Sequence, residues 1–390
     1  MNTQIYINIC IINTQFMIKR FFSPLGPLLE PNKVLIVYGP RRVGKTTLLA
    51  ELLETTQLKY RFDSGENLRV QEVLSSSDFE KIKEYVGDNE LIAIDEAQQI
   101  PGIGQGLKII VDQIPGIKVV VTGSSSFDLF NQIGEPLVGR KKTITLYPFA
   151  QIELAEIYNK FDLKGRLEEF LVYGSYPNVF LAKTKQGKIE SLNEIIDAYL
   201  LKDVLALDNV KKSKTLVDLV KLLALQIGSE VSLAELAKQL NSNARTIEKY
   251  LDILEKGFVI VSLGTLKRNL RSEIRGKKKY YFYDTGVRNA LISQFNDVSL
   301  RNDIGALWEN FLFIERLKKY AYRPLYANRY FWRTYDQKEI DLIEEYDGSF
   351  HAYEFKWKKS GASAPKNFIE SYPTSSFEII NKDNYLDFII

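Results

Sequence analysis

The chain has 390 residues, of which 45% are hydrophobic and 26% charged, and a formal net charge of +3. That is enough apolar chain for about two or three globular domains, too apolar for a disordered polymer, and too nearly neutral for its overall field to attract nucleic acid without a local basic patch. One cysteine, Cys10, and one histidine, His351, exclude a disulfide framework and a cysteine/histidine zinc site and leave little room for serine–histidine catalysis.

The first residues, "MNTQIYINICIINTQF", are mildly apolar. They lack a basic start and a small-residue cleavage site, and are too short to span a bilayer. They read as a disordered extension or a misassigned start ahead of Met17. No later run suggests a transmembrane helix, so no membrane partner is expected, and the scarcity of cysteine suits the cytoplasm.

"KVLIVY" then reads as a buried strand, "GPRRVGKT" as a loop and "TTLLAELLE" as a helix. The loop fits G-x-x-x-x-G-K-[ST], whose glycines let backbone N–H groups turn inward toward phosphate oxygens at a helix N-terminus. Gly39, Pro40, Arg41, Arg42, Val43, Gly44, Lys45, Thr46 and Thr47 are thus the candidate nucleotide cradle. Lys45 reaches the outer phosphates and Thr46 is a ligand for Mg²⁺. A second apolar strand, "ELIAIDEAQ", ends in Asp95 and Glu96, an aspartate for Mg²⁺ and a general base for the attacking water. Gln98 is a candidate γ-phosphate sensor. A third strand, "KVVVTGSSS", brings Thr122 and Ser124 toward the γ-phosphate or the water, with a serine-rich turn as the alternative. Arg140, in "LVGRKK", is a candidate arginine finger, with a solvated basic run as the alternative. Strands alternating with helices imply an α/β fold with a mainly parallel sheet.

Residues from about 161 to 214 read as a helical lid or linker. In "VSLAELAKQLNSNARTIEKYLDILEKGFVIVSL", Ser232 and Glu235 form a capping box. Two amphipathic helices flank a turn and a strand follows Gly257, the pattern of a winged helix-turn-helix. Arg245, Thr246 and Lys249 on the second helix would face a DNA groove. The basic wing "KRNLRSEIRGKKK", with Lys277, Lys278 and Lys279, would meet phosphates. Protein docking is the other use of such a module.

Near the C-terminus "IGALWENFLFIERLKKY" reads as a helix carrying Glu309, and "RYFWRTYDQKEIDLIEEYDGSFHAYEFKWKK" as strands turning at Asp347-Gly348. Glu354 and Lys356 share a strand face. Glu309, Asp341 and Glu354 are expected to converge on one hard cation beside Lys356, an arrangement able to hydrolyse a phosphodiester. Charged residues on a wet sheet face are the alternative.

"GPRRVGKTTLL", "IDEAQ", "TGSSS", "LVGR…LYPF", "GSYP", "YFYDTGVRNAL", "WENF" and "FWRTYDQKEIDLI…YEFKW" occur in this order. In this the chain resembles prokaryotic AAA-type ATPases carrying the C-terminal domain of unknown function 4143. One departure is Ser175, where a second glycine is commoner. The resemblance implies a P-loop NTPase core, a winged helix and a region similar to PD-(D/E)XK nucleases. Lys45, Thr46, Asp95 and Glu96 match the nucleotide motifs, and Glu309, Asp341, Glu354 and Lys356 the nuclease-like one. The expected segments are 1–16 (extension), 17–160 (P-loop ATPase domain), 161–214 (lid or linker), 215–298 (winged helix-turn-helix) and 299–390 (small α/β restriction-endonuclease-like domain). The expected function is that of an ATP- and Mg²⁺-dependent, DNA-associated switch or motor with a nuclease-like tail. Double-stranded DNA is the expected partner, and a homo-oligomer or a protein partner are further candidates. The rival is an ATP-gated signalling or protein-interaction scaffold with a catalytically inactive tail.

Overall fold

In a computed structural model the described residues are 18–123, 136–197, 213–266, 277–334, 336, 338–358, 361 and 363–390. The chain divides into two compact units, residues 1–147 and 148–390. No helix among the described residues is long and apolar enough to cross a membrane.

The first unit is built on β1 (Lys33–Tyr38), helix α1 (Lys45–Thr55), β2 (Tyr60–Ser64), β3 (Leu91–Asp95), helix α2 (Ile103–Gln113), β4 (Lys118–Gly123) and β5 (Lys141–Thr145). The strands lie in the order β2-β3-β4-β1-β5 and all pair in parallel. The physical cause is legible in their composition. "VLIV", "LIAI" and "VVV" are continuous apolar runs, which suit strands covered on both faces rather than one. Val34, Ile92, Ile94, Val119 and Val121 are buried in one core with Leu107 and Ile110 of α2. Because the strands are parallel, the residues following β1, β3 and β4 emerge at the same carboxyl edge, where open α/β sheets bind ligands.

The second unit opens with short helices between residues 151 and 195. There follow β6 (Glu230–Val231), helix α3 (Leu233–Gln239), helix α4 (Ala244–Lys256), β7 (Ile260–Thr265), β8 (Lys278–Phe282), helix α5 (Ile304–Tyr322), β9 (Asn328–Arg333), β10 (Glu339–Tyr346), β11 (Ser349–Phe355) and β12 (Ser376–Ile380). Ser232 caps α3 by accepting from the Glu235 N–H at 3.4 Å, and Asn243 caps α4 by accepting from the Thr246 N–H at 2.8 Å. Helix α4 buries Ile247, Tyr250, Leu251 and Leu254, the stripe expected of a helix with one apolar face.

β6 to β12 form one seven-stranded sheet in the order β12-β11-β10-β9-β7-β8-β6. β7 pairs antiparallel with β8 and parallel with β9, Gly264 opposite Tyr330. The sheet therefore runs through residue 298 rather than ending there. β10 and β11 form a hairpin with Tyr346 opposite Ser349. Asp347 and Gly348 both have positive φ, at 50° and 72°, as a two-residue type I′ turn requires. The β9–β10 register shifts between Ile340 and Ile343, a bulge around Asp341, and bulges of this kind redirect side chains.

Candidate functional site

The loop between β1 and α1 has the backbone its sequence demands. Gly39 has a φ of 142° and Gly44 of 94°, and Arg42 also takes a left-handed φ of 62°. A Cβ on Gly39 would lie 2.0 Å from the Leu146 carbonyl oxygen, so only glycine fits there. Lys45 is 5% exposed, and its Nζ donates to the carbonyls of Gly39 at 2.9 Å and Pro40 at 2.8 Å. Arg20, upstream of the motif and not singled out from sequence, clamps this loop. Its guanidinium donates to the Val43 carbonyl and, at 2.7 Å, to the Tyr147 carbonyl. An arginine so far upstream of a phosphate loop carries no spacing signal in the sequence.

Across the edge of the sheet, Thr46 Oγ1 donates to Asp95 Oδ2 at 2.8 Å. Thr122, at the end of the intervening strand β4, donates its hydroxyl to Asp95 Oδ1 and accepts the Glu96 N–H at 3.0 Å. Burial raises the pKa of Asp95. The Thr122 and Thr46 hydroxyls and Lys45 pull it down, and Glu96 pushes it up. Thr46 and Asp95 thus present adjacent hard oxygen donors beside the loop, a donor set that fits Mg²⁺ held together with nucleotide phosphates. Glu96 adopts a left-handed φ of 52°, and its Oε2 accepts from Gln98 Nε2. Gln98 is therefore engaged with the expected base.

Two first-unit expectations need correction. Thr122 is fully buried and holds Asp95 and Glu96, so it does not reach toward a γ-phosphate. Arg140 lies at the opposite end of the sheet from the phosphate loop. Its carbonyl accepts the Val34 N–H at 2.9 Å at the start of β1, while its side chain pairs with Asp112. It cannot serve as an arginine finger for its own site. Ser124 lies outside the described residues.

In the second unit, Arg245 and Lys249 are exposed on α4 and Thr246 is half-buried. Lys277 is exposed and pairs with Glu230 at 3.2 Å; Lys278 is half-buried. Lys267, Arg268, Arg271 and Arg275 lie outside the described residues. Lys279 is the third correction, since it is 1% exposed and unavailable to DNA. Its Nζ donates to Glu309 Oε1 at 2.8 Å, pairs with Glu339 and lies 4.0 Å from Asp341 Oδ1. The Phe331 ring lies 5.3 Å from the ammonium. A signal was present in the strand alternation. Residues 279 and 281 share a face of β8, and the apolar run that follows Lys279 marks this strand as one that enters the core, with Tyr280, Tyr281 and Phe282 all buried.

Around Lys279 several of the tail carboxylate oxygens already have partners. Tyr281 Oη donates to Glu309 Oε1 at 2.6 Å, and the Phe355 N–H donates to Asp341 Oδ2 at 2.7 Å. Lys356 Nζ donates to Glu354 Oε1 at 2.5 Å, while Glu354 Oε2 is buried without a partner. Burial alone would push the Lys279 ammonium down, yet Glu309, Asp341 and Glu339 hold it above its ordinary value. Burial raises Glu309 against the pull of Lys279, and raises Asp341 well above the usual range together with repulsion from Glu309 and Glu354.

The expected three-carboxylate metal set is the fourth correction. Among the described residues no group of three or more His, Cys, Asp or Glu side chains is arranged to hold a metal ion. The reason is steric and electrostatic. The Lys279 ammonium already stands among these carboxylates, 2.8 Å from Glu309 and 4.0 Å from Asp341, so a divalent ion there would compete for the same oxygens and be repelled by a fixed positive charge. The residues present do not fit a catalytic metal.

Comparison with known proteins finds three family models along the chain. Residues 31–155 match the family model described as an AAA domain, residues 304–386 that of domain of unknown function 4143, and residues 164–298 that of domain of unknown function 8612. The chain carries an AAA-type P-loop domain ahead of a 4143 region. It is 27% identical to an uncharacterized protein of Mycobacterium tuberculosis over 83% of this chain and 70% of that one. It is 26% identical to one of Haemophilus influenzae over 95% and 92%, and 24% identical to one of Methanocaldococcus jannaschii over 74% and 67%. Among solved structures there are weak likenesses to a mutant RuvB of Thermotoga maritima and to AMPPCP-bound DnaA of Aquifex aeolicus. The RuvB match has TM-score 0.28 and 18% identity, over 63% of this chain and 85% of that one. The DnaA match has TM-score 0.23 and 13% identity, over 57% and 81%.

Proposed function

We propose that the protein is an ATP-hydrolysing switch that engages double-stranded DNA. The observation that carries the nucleotide half is the 2.8 Å contact between Thr46 and Asp95 at the mouth of a loop whose two glycines hold positive φ. In this reading Lys45 offsets charge on the outer phosphates, Thr46 and Asp95 hold Mg²⁺ directly or through water, and Glu96 takes the proton of the attacking water. The bound ion would supply charge neutralisation at the phosphates, and Thr122 keeps Asp95 and Glu96 in register. Lys45→Ala should lose ATP binding or turnover. Glu96→Gln should keep binding and lose turnover by a factor of about 10²–10⁴, the range of general-base catalysis. Wild-type turnover in Glu96→Gln would remove the base from that role.

The DNA half rests on the basic residues Arg245 and Lys249, exposed on α4, and Lys277, exposed just before β8. Replacing Lys277 and Lys278 should weaken binding to all sequences and reduce its salt dependence, and replacing Arg245 should alter sequence preference. Unchanged affinity in both would favour the second reading, an ATP-gated scaffold for a protein partner. Lys279 among the tail carboxylates supports one part of that reading, a nuclease-like region that does not cut. Self-association is open to the same binding experiments, run at several protein concentrations.

A further inference from the structure

We infer that Lys279 permanently takes the position of a divalent cation in the tail, making its carboxylate cluster an ammonium-closed interlock between β8, α5 and β10. This goes beyond the proposed ATPase function and depends on none of its residues.

Three observations converge. Lys279 arrives from the hairpin that precedes the tail, and its Nζ contacts carboxylates from two elements: Glu309 on α5 at 2.8 Å, and Glu339 on β10. Asp341, also on β10, stands at 4.0 Å. The space around the ammonium is filled. Phe331 lies over it, Tyr281 takes the same Glu309 oxygen at 2.6 Å, and a Cβ added at Gly228 would come within 3.2 Å of Glu309 Oε2. Finally, Asp341 spends its other oxygen on the Phe355 N–H at 2.7 Å. A hard cation needs several oxygens at about 2.0–2.6 Å. The nearest oxygen contacts here are instead spaced as hydrogen bonds to one ammonium. A lysine that is 1% exposed and touches carboxylates on two separate elements is a structural counter-ion rather than a surface charge waiting for a phosphate.

The test reads Mn²⁺ binding to the full chain without nucleotide, in an Asp95→Asn background that disables the ATPase metal site. Electron paramagnetic resonance titration should find no saturable Mn²⁺ site tighter than millimolar, and the unfolding temperature should be the same in Mn²⁺ and in EDTA. A saturable site that disappears on Glu354→Gln or Asp341→Asn would overturn the inference. In the second arm, Lys279→Met should lower the unfolding temperature, and Lys279→Met with Glu309→Gln should recover much of the loss, because one uncompensated buried charge is removed. Stability equal to wild type in Lys279→Met would also overturn it. If Lys279→Met does not fold, the wild-type Mn²⁺ titration still decides. ATP turnover is not read in either arm, so failure here and failure of the ATPase reading are separable.

Discussion

The molecule contains two buried acidic centres that solve the same electrostatic problem in opposite ways. Asp95 sits at a sheet edge and its oxygens accept from the hydroxyls of Thr46 and Thr122. Hydroxyls are neutral donors, so they orient the carboxylate without cancelling its charge, and a mobile cation can still be recruited. Glu309 and Asp341 sit around Lys279, a donor that carries a full positive charge and cannot leave. In the proposed reading the first centre exchanges an ion and the second excludes one. From sequence both read as carboxylates awaiting a hard cation; the identity of the hydrogen-bond donor separates them.

The widest separation should come from removing divalent ions. With EDTA present, ATP turnover should fall below detection, while thermal unfolding of the nucleotide-free protein should stay unchanged, as differential scanning calorimetry can measure. A tail transition that moves with EDTA would break the contrast. The next largest effect is expected in Lys279→Met. Stranding carboxylates by deleting one partner of a buried ion pair typically costs about 3–5 kcal/mol, to be read from urea denaturation.

Arg20→Met should act on the other centre. Two charge-assisted hydrogen bonds to the Val43 and Tyr147 carbonyls are lost, each of a type worth about 1.5–3 kcal/mol. The expected outcome is weaker ATP binding by fluorescence titration, with a smaller change in turnover at saturation. Equal affinity would mean that the loop holds its shape unaided.

The smallest effect is a gain. Burial and repulsion from Glu309 and Glu354 raise the Asp341 pKa, so its ionised form is disfavoured in the folded state. Its contribution to stability is therefore fully present below the unfolded value near 3.9 and is lost as pH rises through the higher folded value. Asp341→Asn removes that penalty. It should raise the unfolding temperature at pH 7 by about 2–4 °C, the effect of roughly 1 kcal/mol in a unit of this size. The gain should fade as the pH approaches 4. A loss of stability at neutral pH would show that Asp341 is needed as a charge by Lys279.

Much of the first unit was open to reading because local pattern and global fold coincide there. The apolar runs of β1, β3 and β4 need burial on both faces, and the glycines of the phosphate loop need their φ values whatever surrounds them. The two-helix segment was legible for a similar reason, since Ser232, Asn243 and the apolar stripe of α4 act within a few residues of one another. What escaped depends on contacts distant in sequence. Arg140 looked like a free basic residue because nothing local says that β5 begins, rather than ends, beside it. Thr122 looked like a phosphate contact because only the order β3-β4-β1 places it between Asp95 and Thr46. Lys279 was grouped with its basic neighbours because a run of lysines resembles a patch. Strand alternation assigns its side chain to the opposite face from Lys278.

The parallel pairing of β7 with β9 has a practical corollary for anyone dividing this protein into pieces. A fragment ending near residue 298 would expose the edge of β7 that pairs with β9 at Gly264 and Thr265, an unpaired strand edge of the kind that promotes aggregation, and would strip Lys279 of Glu309, Glu339 and Asp341. A fragment beginning there would lose the strand that continues its sheet and the ammonium that its carboxylates surround. Neither should be well behaved alone. Mixed together, the two pieces carry complementary edges and complementary charges, so this boundary is a natural place to split the chain for reassembly experiments.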